Sequence, residues 1–115
     1  MTRNTRPISW IKAARKDFAT FPAGAQLEIG RALTVAAEGG KADLAKPMKG
    51  LGSGVFEIAL AYRADAYRTV YALQLDPDLW VIHAFQKKSK KGRETPQSET
   101  DLIRERIKRL KEALR

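Results

Sequence analysis

The stretch Phe56–Lys91, FEIALAYRADAYRTVYALQLDPDLWVIHAFQKKSKK, decides the fold. It contains three short runs rich in aromatic and β-branched residues, separated by turn residues at Ala64-Asp65 and at Asp76-Pro77-Asp78. This pattern predicts an antiparallel meander of three strands. The middle strand carries Arg68 and the last strand ends in a block of lysines, so the sheet is suited to holding a polyanion.

Alternation with a period of two gives the first two strands a bulky face and a small face. The bulky face has Phe56, Ile58, Leu60, Tyr62, Tyr67, Thr69, Tyr71, Leu73 and Leu75, and the small face has Glu57, Ala59, Ala61, Arg68, Val70, Ala72 and Gln74. We predict that the bulky face packs on helices. The small face is then a shallow surface that carries Glu57 and Arg68 and can admit a ligand.

The third run is apolar on both sides, so its pattern leaves two registers open. In one register Leu79, Val81, His83, Phe85 and Lys87 share the shallow face, which brings His83 and Lys87 towards Arg68 and Glu57. In the opposite register Gln86 and Lys88 take those places. A lone histidine in a strand is more often a hydrogen-bonded structural residue than a catalytic one.

Helices are predicted on both sides of the meander. Residues 8–11 suit either a short edge strand or a helix start, and an apolar face continues through Phe18 to Phe21. Pro22 begins a second helix that runs to about Glu38 and ends at Gly39-Gly40, which makes a helical hairpin. After Thr95-Pro96, a cap and first helical position, or alternatively Ser98 and Asp101 as a capping pair, a C-terminal helix follows. Its apolar stripe is Leu102, Ile103, Ile107, Leu110 and Leu114, which we expect to pack within the molecule.

Composition limits the chain to a few classes of protein. With 115 residues and 43% apolar residues, the chain is predicted to be one α+β domain over residues 1–115. The absence of cysteine excludes disulfides and thiolate metal sites. The single His83 excludes a histidine-rich metal site, although one histidine with carboxylates remains possible. No apolar run reaches the roughly 20 residues that span a bilayer, and no signal peptide is apparent, so a cytoplasmic protein without cofactors is expected.

The charge indicates an anionic partner. The net charge is +9, and it is concentrated at the two ends, where residues 1–20 carry five basic and one acidic side chain and residues 87–115 carry eleven and five. Nucleic acid is favoured over a membrane surface, because the C-terminal helix lacks the Trp or Phe typical of interfacial anchors.

The segment Lys41–Ser53 is predicted to be a loop. It includes Gly50, Gly52 and, directly after it, Gly54, but it precedes a strand, so it is no dinucleotide-binding fingerprint. The glycines allow a sharp entry into the sheet. Lys46 and Lys49 either contact phosphate or belong to a solvated loop.

Four motifs together resemble a known family. They are Lys46-Pro47-Met48-Lys49-Gly50-Leu51, Gly54-Val55-Phe56-Glu57-Ile58, Tyr67-Arg68-Thr69-Val70-Tyr71 and His83-Ala84-Phe85-Gln86-Lys87-Lys88-Ser89-Lys90-Lys91. They resemble the phage-derived Gp49-like branch of the RelE/HigB toxin superfamily across nearly the whole chain. The resemblance implies a RelE-like fold, with an N-terminal helical hairpin on a small antiparallel sheet and a C-terminal helix. It also implies a type II toxin that is an endoribonuclease (mRNA interferase), commonly cuts mRNA on the ribosome and is neutralised by a helix-turn-helix antitoxin.

That chemistry needs no metal, because RNA carries its own nucleophile, the 2′-OH. The candidate catalytic residues are Arg68 to grip the scissile phosphate, Lys87 or Lys88 for charge stabilisation or as the acid, and Glu57 or His83 as the base. The candidate RNA-binding residues are Lys49, Phe85, Lys88, Lys90, Lys91 and Arg93, with Phe85 stacking on a base.

Three alternatives remain open. RelE has two lysines on the first meander strand where this chain has Glu57 and Ala59, so its proton-transfer scheme does not carry over, and Glu57 with Arg68 is equally interpretable as a structural ion pair. The run Lys90, Lys91 and Arg93 is either a set of phosphate contacts or a solvated segment. The whole chain could also be a nucleic-acid-binding accessory protein that keeps the fold without cleavage. A metal nuclease ranks last, because Asp76 and Asp78 have no carboxylate cluster around them.

Overall fold

A computed structural model describes residues 5–87 and 94–115 and shows an α+β fold, as predicted. The elements in chain order are β1 Ile8–Trp10, α1 Lys12–Phe18, α2 Ala23–Ala37, β2 Ala45–Pro47, β3 Val55–Tyr62, β4 Asp65–Ala72, β5 Leu79–Lys87 and α3 Gln97–Ala113. Within the described residues, no helix is both long and apolar enough to cross a bilayer.

The sheet has five strands in the order β1-β5-β4-β3-β2. The predicted meander is present as β3, β4 and β5, which pair antiparallel. Two short edge strands complete it: β1 is parallel to β5, and β2 pairs antiparallel with β3. Residues 8–10 are therefore an edge strand. The prediction that Lys41–Ser53 is entirely loop is wrong, because β2 lies within it.

The first turn of the meander lies one residue earlier than predicted. Tyr62 pairs with Asp65, so the two turn residues are Arg63 and Ala64. Both have positive φ, 50° and 71° respectively. Two left-handed residues give a hairpin turn whose twist matches that of the strands, and this geometry is normally supplied by Asn-Gly, which explains why the sequence signal was weak.

The bulky face of the sheet packs on α1 and α2, as predicted. Ile58, Tyr67 and Tyr71 are buried there against Ile29 and Leu33 of α2. We call this side the hairpin face. The alanines of α2 at positions 25, 32, 36 and 37 are also buried, so the helix lies close to the strands.

The opposite side of the sheet, which we call the α3 face, is covered in part by α3. Ile103 and Ile107 are buried against Val55, Val70 and other small residues of the strands. The prediction of an open shallow face is therefore wrong at this end. Its residues are small because a helix packs on them, not because a ligand needs the space.

A bulge in β5 resolves the register left open by the sequence. Val70 pairs with His83 and Tyr71 pairs with Val81, so Ile82 is the extra residue. The bulge moves the alternation to the other side of the strand. His83, Phe85 and Lys87 consequently lie on the α3 face, as in the first register, whereas Leu79 and Val81 belong to the core of the hairpin face.

Candidate functional site

Three side chains on the α3 face form a compact polar group that we call the Arg68 cluster: Glu57, Arg68 and Thr95. Nη1 of Arg68 is 3.1 Å from Oε1 of Glu57, and the two side chains are only 7% and 13% exposed. The same Nη1 donates to Oγ1 of Thr95 at 3.2 Å, and this hydroxyl donates to Oε2 of Glu57 at 2.7 Å. The register explains the ion pair, because Glu57 and Arg68 are diagonal neighbours on adjacent strands.

Arg68 retains a donor that the described part of the chain does not satisfy. Its Nε is buried and has no hydrogen-bond partner there, although Nη1 has two. A buried guanidinium N–H without an acceptor costs free energy that a bound anion would recover. Arg68 therefore neither points into the apolar core nor is fully used by its ion pair.

Lys87 lies on the same face as Arg68. It pairs with Ala66 while Arg68 pairs with Phe85, so the two basic residues are diagonal neighbours. In such positions Cβ atoms lie roughly 7–8 Å apart. Lys87 is buried, and its Nζ donates to the carbonyl oxygen of Glu94 at 2.7 Å, which places the lysine beneath the segment that leads into α3.

His83 is held at both ring nitrogens by α3. Nη1 of Arg106 lies 2.8 Å from Nδ1, and Oε1 of Glu99 lies 2.9 Å from Nε2. Because a guanidinium can only donate, Nδ1 is the acceptor, and Nε2 carries the proton that is donated to Glu99. His83 is buried and is hydrogen-bonded at both ring nitrogens, so it joins β5 to α3 in the way expected of a structural histidine.

Phe85 is buried and stacks on His83. The ring centroids are 5.2 Å apart and the planes are inclined by 23°. Both residues border a groove of about 350 Å³ that also touches Asp17 of α1 and Glu99 of α3. One face of the Phe85 ring is thus already occupied.

The structure does not bring all of the predicted RNA-binding residues to this place. Lys49 is exposed in the turn after β2, beyond the end of the sheet that faces away from Arg68. Lys88, Lys90, Lys91 and Arg93 lie outside the described residues.

No group of three or more His, Cys, Asp or Glu side chains that could hold a metal ion occurs among residues 5–87 and 94–115. The two aspartates of the second turn, Asp76 and Asp78, accept hydrogen bonds from neighbouring groups of the protein. Oδ2 of Asp78 accepts from the Ser9 hydroxyl at 2.6 Å, and Oδ1 of Asp76 accepts from the backbone N–H of Asp78 at 2.6 Å. These contacts fix the turn beside β1.

Sequence reasoning missed three residues that contact the site, namely Thr95, Glu99 and Arg106. Thr95 was interpreted as a helix cap, but Pro96 is the N-cap residue and no side chain caps α3. The signal for the other two was their spacing. Seven residues are two helical turns, so Glu99 and Arg106 lie on one side of α3 and can hold one ring from both sides.

The chain belongs to the family described as "Phage derived protein Gp49-like (DUF891)", which it matches over residues 16–108. The resemblance inferred from the four motifs is thereby confirmed. A comparison with curated proteins gave no match.

Solved structures of RelE toxins have a similar fold. A free arginine-to-alanine double mutant of Escherichia coli RelE is 16% identical, with a TM-score of 0.62 over 91% of this chain and 97% of that one. Isolated Escherichia coli RelE is 14% identical, with a TM-score of 0.57 over 87% and 97%. The toxin-antitoxin complex RelBE2 of Mycobacterium tuberculosis has a chain that is 15% identical, with a TM-score of 0.51 over 76% and 98%. At these identities the likeness shows the RelE-like fold.

Proposed function

We propose that the chain is the toxin of a type II toxin-antitoxin pair and acts in the cytoplasm as an endoribonuclease that cuts mRNA on the ribosome. One observation carries the proposal: a buried arginine, with an N–H that no acceptor among the described residues uses, lies beside a carboxylate and a second cation on one face of a RelE-like sheet. The basic ends of the chain suit an RNA substrate. An antitoxin is the proposed partner, since a structural relative was solved in a complex with its antitoxin. The helix-turn-helix type is proposed from the family resemblance alone.

The reaction is transesterification at phosphorus. The 2′-oxygen attacks the adjacent phosphorus in line with the 5′-oxygen, a 2′,3′-cyclic phosphate forms, and the P–O5′ bond breaks. One proton leaves the 2′-OH for a base, and one reaches the 5′-oxygen from an acid. Every role in this scheme can be filled by side chains, so no metal is required.

Arg68 is the residue proposed to grip the scissile phosphate. Its Nε–H has no acceptor in the part of the chain that the structure describes, and a phosphate oxygen there would gain a charge-assisted hydrogen bond in a buried setting. Lys87, a diagonal neighbour on the same face, would stabilise the charge of the phosphorane or protonate the leaving oxygen. Phe85 lies on the same face, and its ring would stack on a base once one of its two sides is uncovered.

Glu57 is favoured over His83 as the general base. One oxygen of Glu57 bonds to Arg68 and the other accepts a single hydroxyl proton from Thr95. Movement of that one residue would free a carboxylate oxygen next to the phosphate site. His83, by contrast, would have to leave both Arg106 and Glu99 of α3.

The remaining cations are proposed to hold the RNA backbone on either side of the cut. Lys88, Lys90, Lys91 and Arg93 follow Lys87 in the chain, and Lys49 lies at the opposite end of the sheet. Such contacts position the strand without reading its sequence.

The test is expression followed by mapping of cut sites. The parent chain should arrest growth, and primer extension should find new 5′ ends in mRNA. Arg68→Lys keeps a charge beside Glu57 but loses the Nε–H proposed to bind the phosphate, and it should reduce cutting by roughly 10²–10³-fold. Arg31→Ala, at a side chain 68% exposed on α2, is the matched control and should behave as the parent. Full growth arrest by a folded Arg68→Lys variant would remove Arg68 from the mechanism.

A second candidate function is a nucleic-acid-binding protein without cleavage. It is favoured by the hydrogen bonding of Glu57, whose two carboxylate oxygens accept from Arg68 and from Thr95. This arrangement also suits a structural ion pair. The two functions differ in their products. Cleavage by the 2′-oxygen leaves a 2′,3′-cyclic phosphate on mRNA when ribosomes are present in the assay, whereas a binding protein yields salt-dependent complexes and intact RNA with or without ribosomes.

A further inference from the structure

Four basic side chains form what we call the basic stripe: Arg104, Lys108 and Lys111 on α3, and Arg115 just beyond its end. The spacing of four and three residues places Arg104, Lys108 and Lys111 on one side of the helix, and Arg115 lines the same groove. From Arg104 to Lys111 the stripe extends about 10 Å along the helix axis at 1.5 Å per residue. It leads away from the Arg68 cluster, which lies before the start of α3.

The stripe borders a groove of about 470 Å³ whose other wall is the loop Gly50–Gly52. Leu51 fixes this loop in place, since it is buried against Ile103 and Ile107 on the neighbouring side of α3. Gly50 and Gly52 have φ of +80° and +96°, a conformation that favours glycine. Among the described residues, neither glycine N–H has a backbone hydrogen-bond partner.

Most of the positive charge in this groove is not neutralised. Arg104 pairs with Asp101 at 3.3 Å. Among residues 5–87 and 94–115, no salt bridge involves Lys108, Lys111 or Arg115, and Glu112 is the one carboxylate that lines the groove. The basic residue Arg109, outside the groove, does have a partner, because its Nε lies 3.1 Å from Glu105. Unpaired cations are therefore concentrated on the side of α3 that faces the loop.

We propose that the basic stripe and the loop Gly50–Gly52 form a second RNA-binding surface, which holds the phosphate backbone independently of cleavage. Three cations without a salt-bridge partner among the described residues, beside the loop Gly50–Gly52, complement a run of phosphates. A membrane surface fits less well, because the apolar residues Ile103 and Ile107 of α3 face the sheet and cannot enter a bilayer. The inference goes beyond the proposed function, since binding here needs neither Arg68 nor Glu57.

The test uses the full chain and a fluorescent 20-nucleotide 2′-O-methyl RNA, which has no 2′-OH to attack and so cannot be cut. Anisotropy is measured over a series of salt concentrations. The triple variant Lys108→Gln, Lys111→Gln, Arg115→Gln should bind at least tenfold more weakly. Its slope of log K against log salt should be shallower by about 2, as expected when three contacts to single-stranded nucleic acid are lost.

The matched control removes the same charge elsewhere. Lys12→Gln, Lys16→Gln, Arg31→Gln changes three exposed residues of α1 and α2, and it should bind within threefold of the parent. Equal weakening by both triple variants would show that only net charge matters and would overturn the proposal. So would parent protein that binds phosphatidylserine vesicles but not the RNA. The assay RNA cannot be cut, so a loss of binding in the stripe variant and a loss of cleavage in the mapping experiment are separate results, and failure of the cleavage mechanism is distinguishable from failure of this surface.

Discussion

Thr95 donates a hydrogen bond from its hydroxyl to Oε2 of Glu57, 2.7 Å away, across 38 positions of sequence. The bond joins the segment before α3 to the carboxylate that neutralises Arg68. A threonine just before a helix usually caps it, but here Pro96 is the N-cap and the hydroxyl serves the sheet instead. The C-terminal part of the chain therefore contributes the third side chain of the Arg68 cluster.

Replacement of Thr95 by valine should destabilise the fold. Valine keeps the shape but removes the donor to Glu57 and the acceptor for Nη1 of Arg68, in a setting where the ion pair is largely buried. Loss of hydrogen bonds to charged groups of this kind costs about 1–3 kcal/mol. Urea denaturation should report that decrease in the free energy of unfolding, while Thr95→Ser, which retains the hydroxyl, should stay close to the parent. Equal stability of the two variants would contradict the bridging role.

Substitutions of Glu57 and His83 should have different effects: the first should lower cleavage, and the second should lower the free energy of unfolding. Glu57→Gln keeps hydrogen bonding with Arg68 and Thr95 but cannot accept the 2′-OH proton, so cleavage should fall by about 10²–10⁴-fold. His83→Asn loses the bonds to Glu99 and Arg106, so its free energy of unfolding should fall while cleavage per folded molecule stays within tenfold. Cleavage assays corrected for the folded fraction distinguish the two. The reverse pattern would make His83 the base.

Tyr71 should make the fold sensitive to alkaline pH. It is fully buried on the hairpin face, where its ring stacks on Phe56 at 5.4 Å. Burial raises the pKa of the Tyr71 phenol above its usual value of 10.0. The unfolded chain therefore loses this proton first, and stability falls from about pH 10 upward, until the folded phenol also ionises.

The measurement is the free energy of unfolding in urea between pH 8 and pH 11. Tyr71→Phe cannot ionise, so its stability should decline less steeply above pH 10 than that of the parent. The difference between the two curves isolates Tyr71 from the lysines that titrate in the same range. Parallel curves would mean that Tyr71 reaches solvent before it ionises.

Local patterns were enough to predict much of the fold. Period-two alternation assigned Tyr67 and Tyr71 to the hairpin face, and Pro22 and Gly39-Gly40 marked the limits of α2 to within a residue or two. These signals depend on neighbours in the chain, so one sequence contains them.

Long-range contacts were not predictable in the same way. The small side chains at Val70 and Ala72 suit either an open face or a packed helix, and only the position of Ile103 shows that α3 covers them. The bulge at Ile82 is equally hidden, because a strand that is apolar on both sides gives no sign of an extra residue. The period-two alternation predicted that Glu57 and Arg68 lie on one face. It gave no sign that Thr95 forms hydrogen bonds with both of them.

The hairpin turn at Arg63 and Ala64 offers a test of backbone strain. Ala64 has φ of +71°, a left-handed conformation that costs an L-residue roughly 1–2 kcal/mol. Ala64→Gly should relieve that cost and, after the greater loss of chain entropy by glycine, raise the free energy of unfolding by about 0.5–1 kcal/mol. Ala66→Gly is the matched control, because Ala66 is a paired residue of β4, and it should lower the same quantity by a similar amount. If both glycines destabilise the protein equally, the left-handed conformation of Ala64 carries no strain in solution.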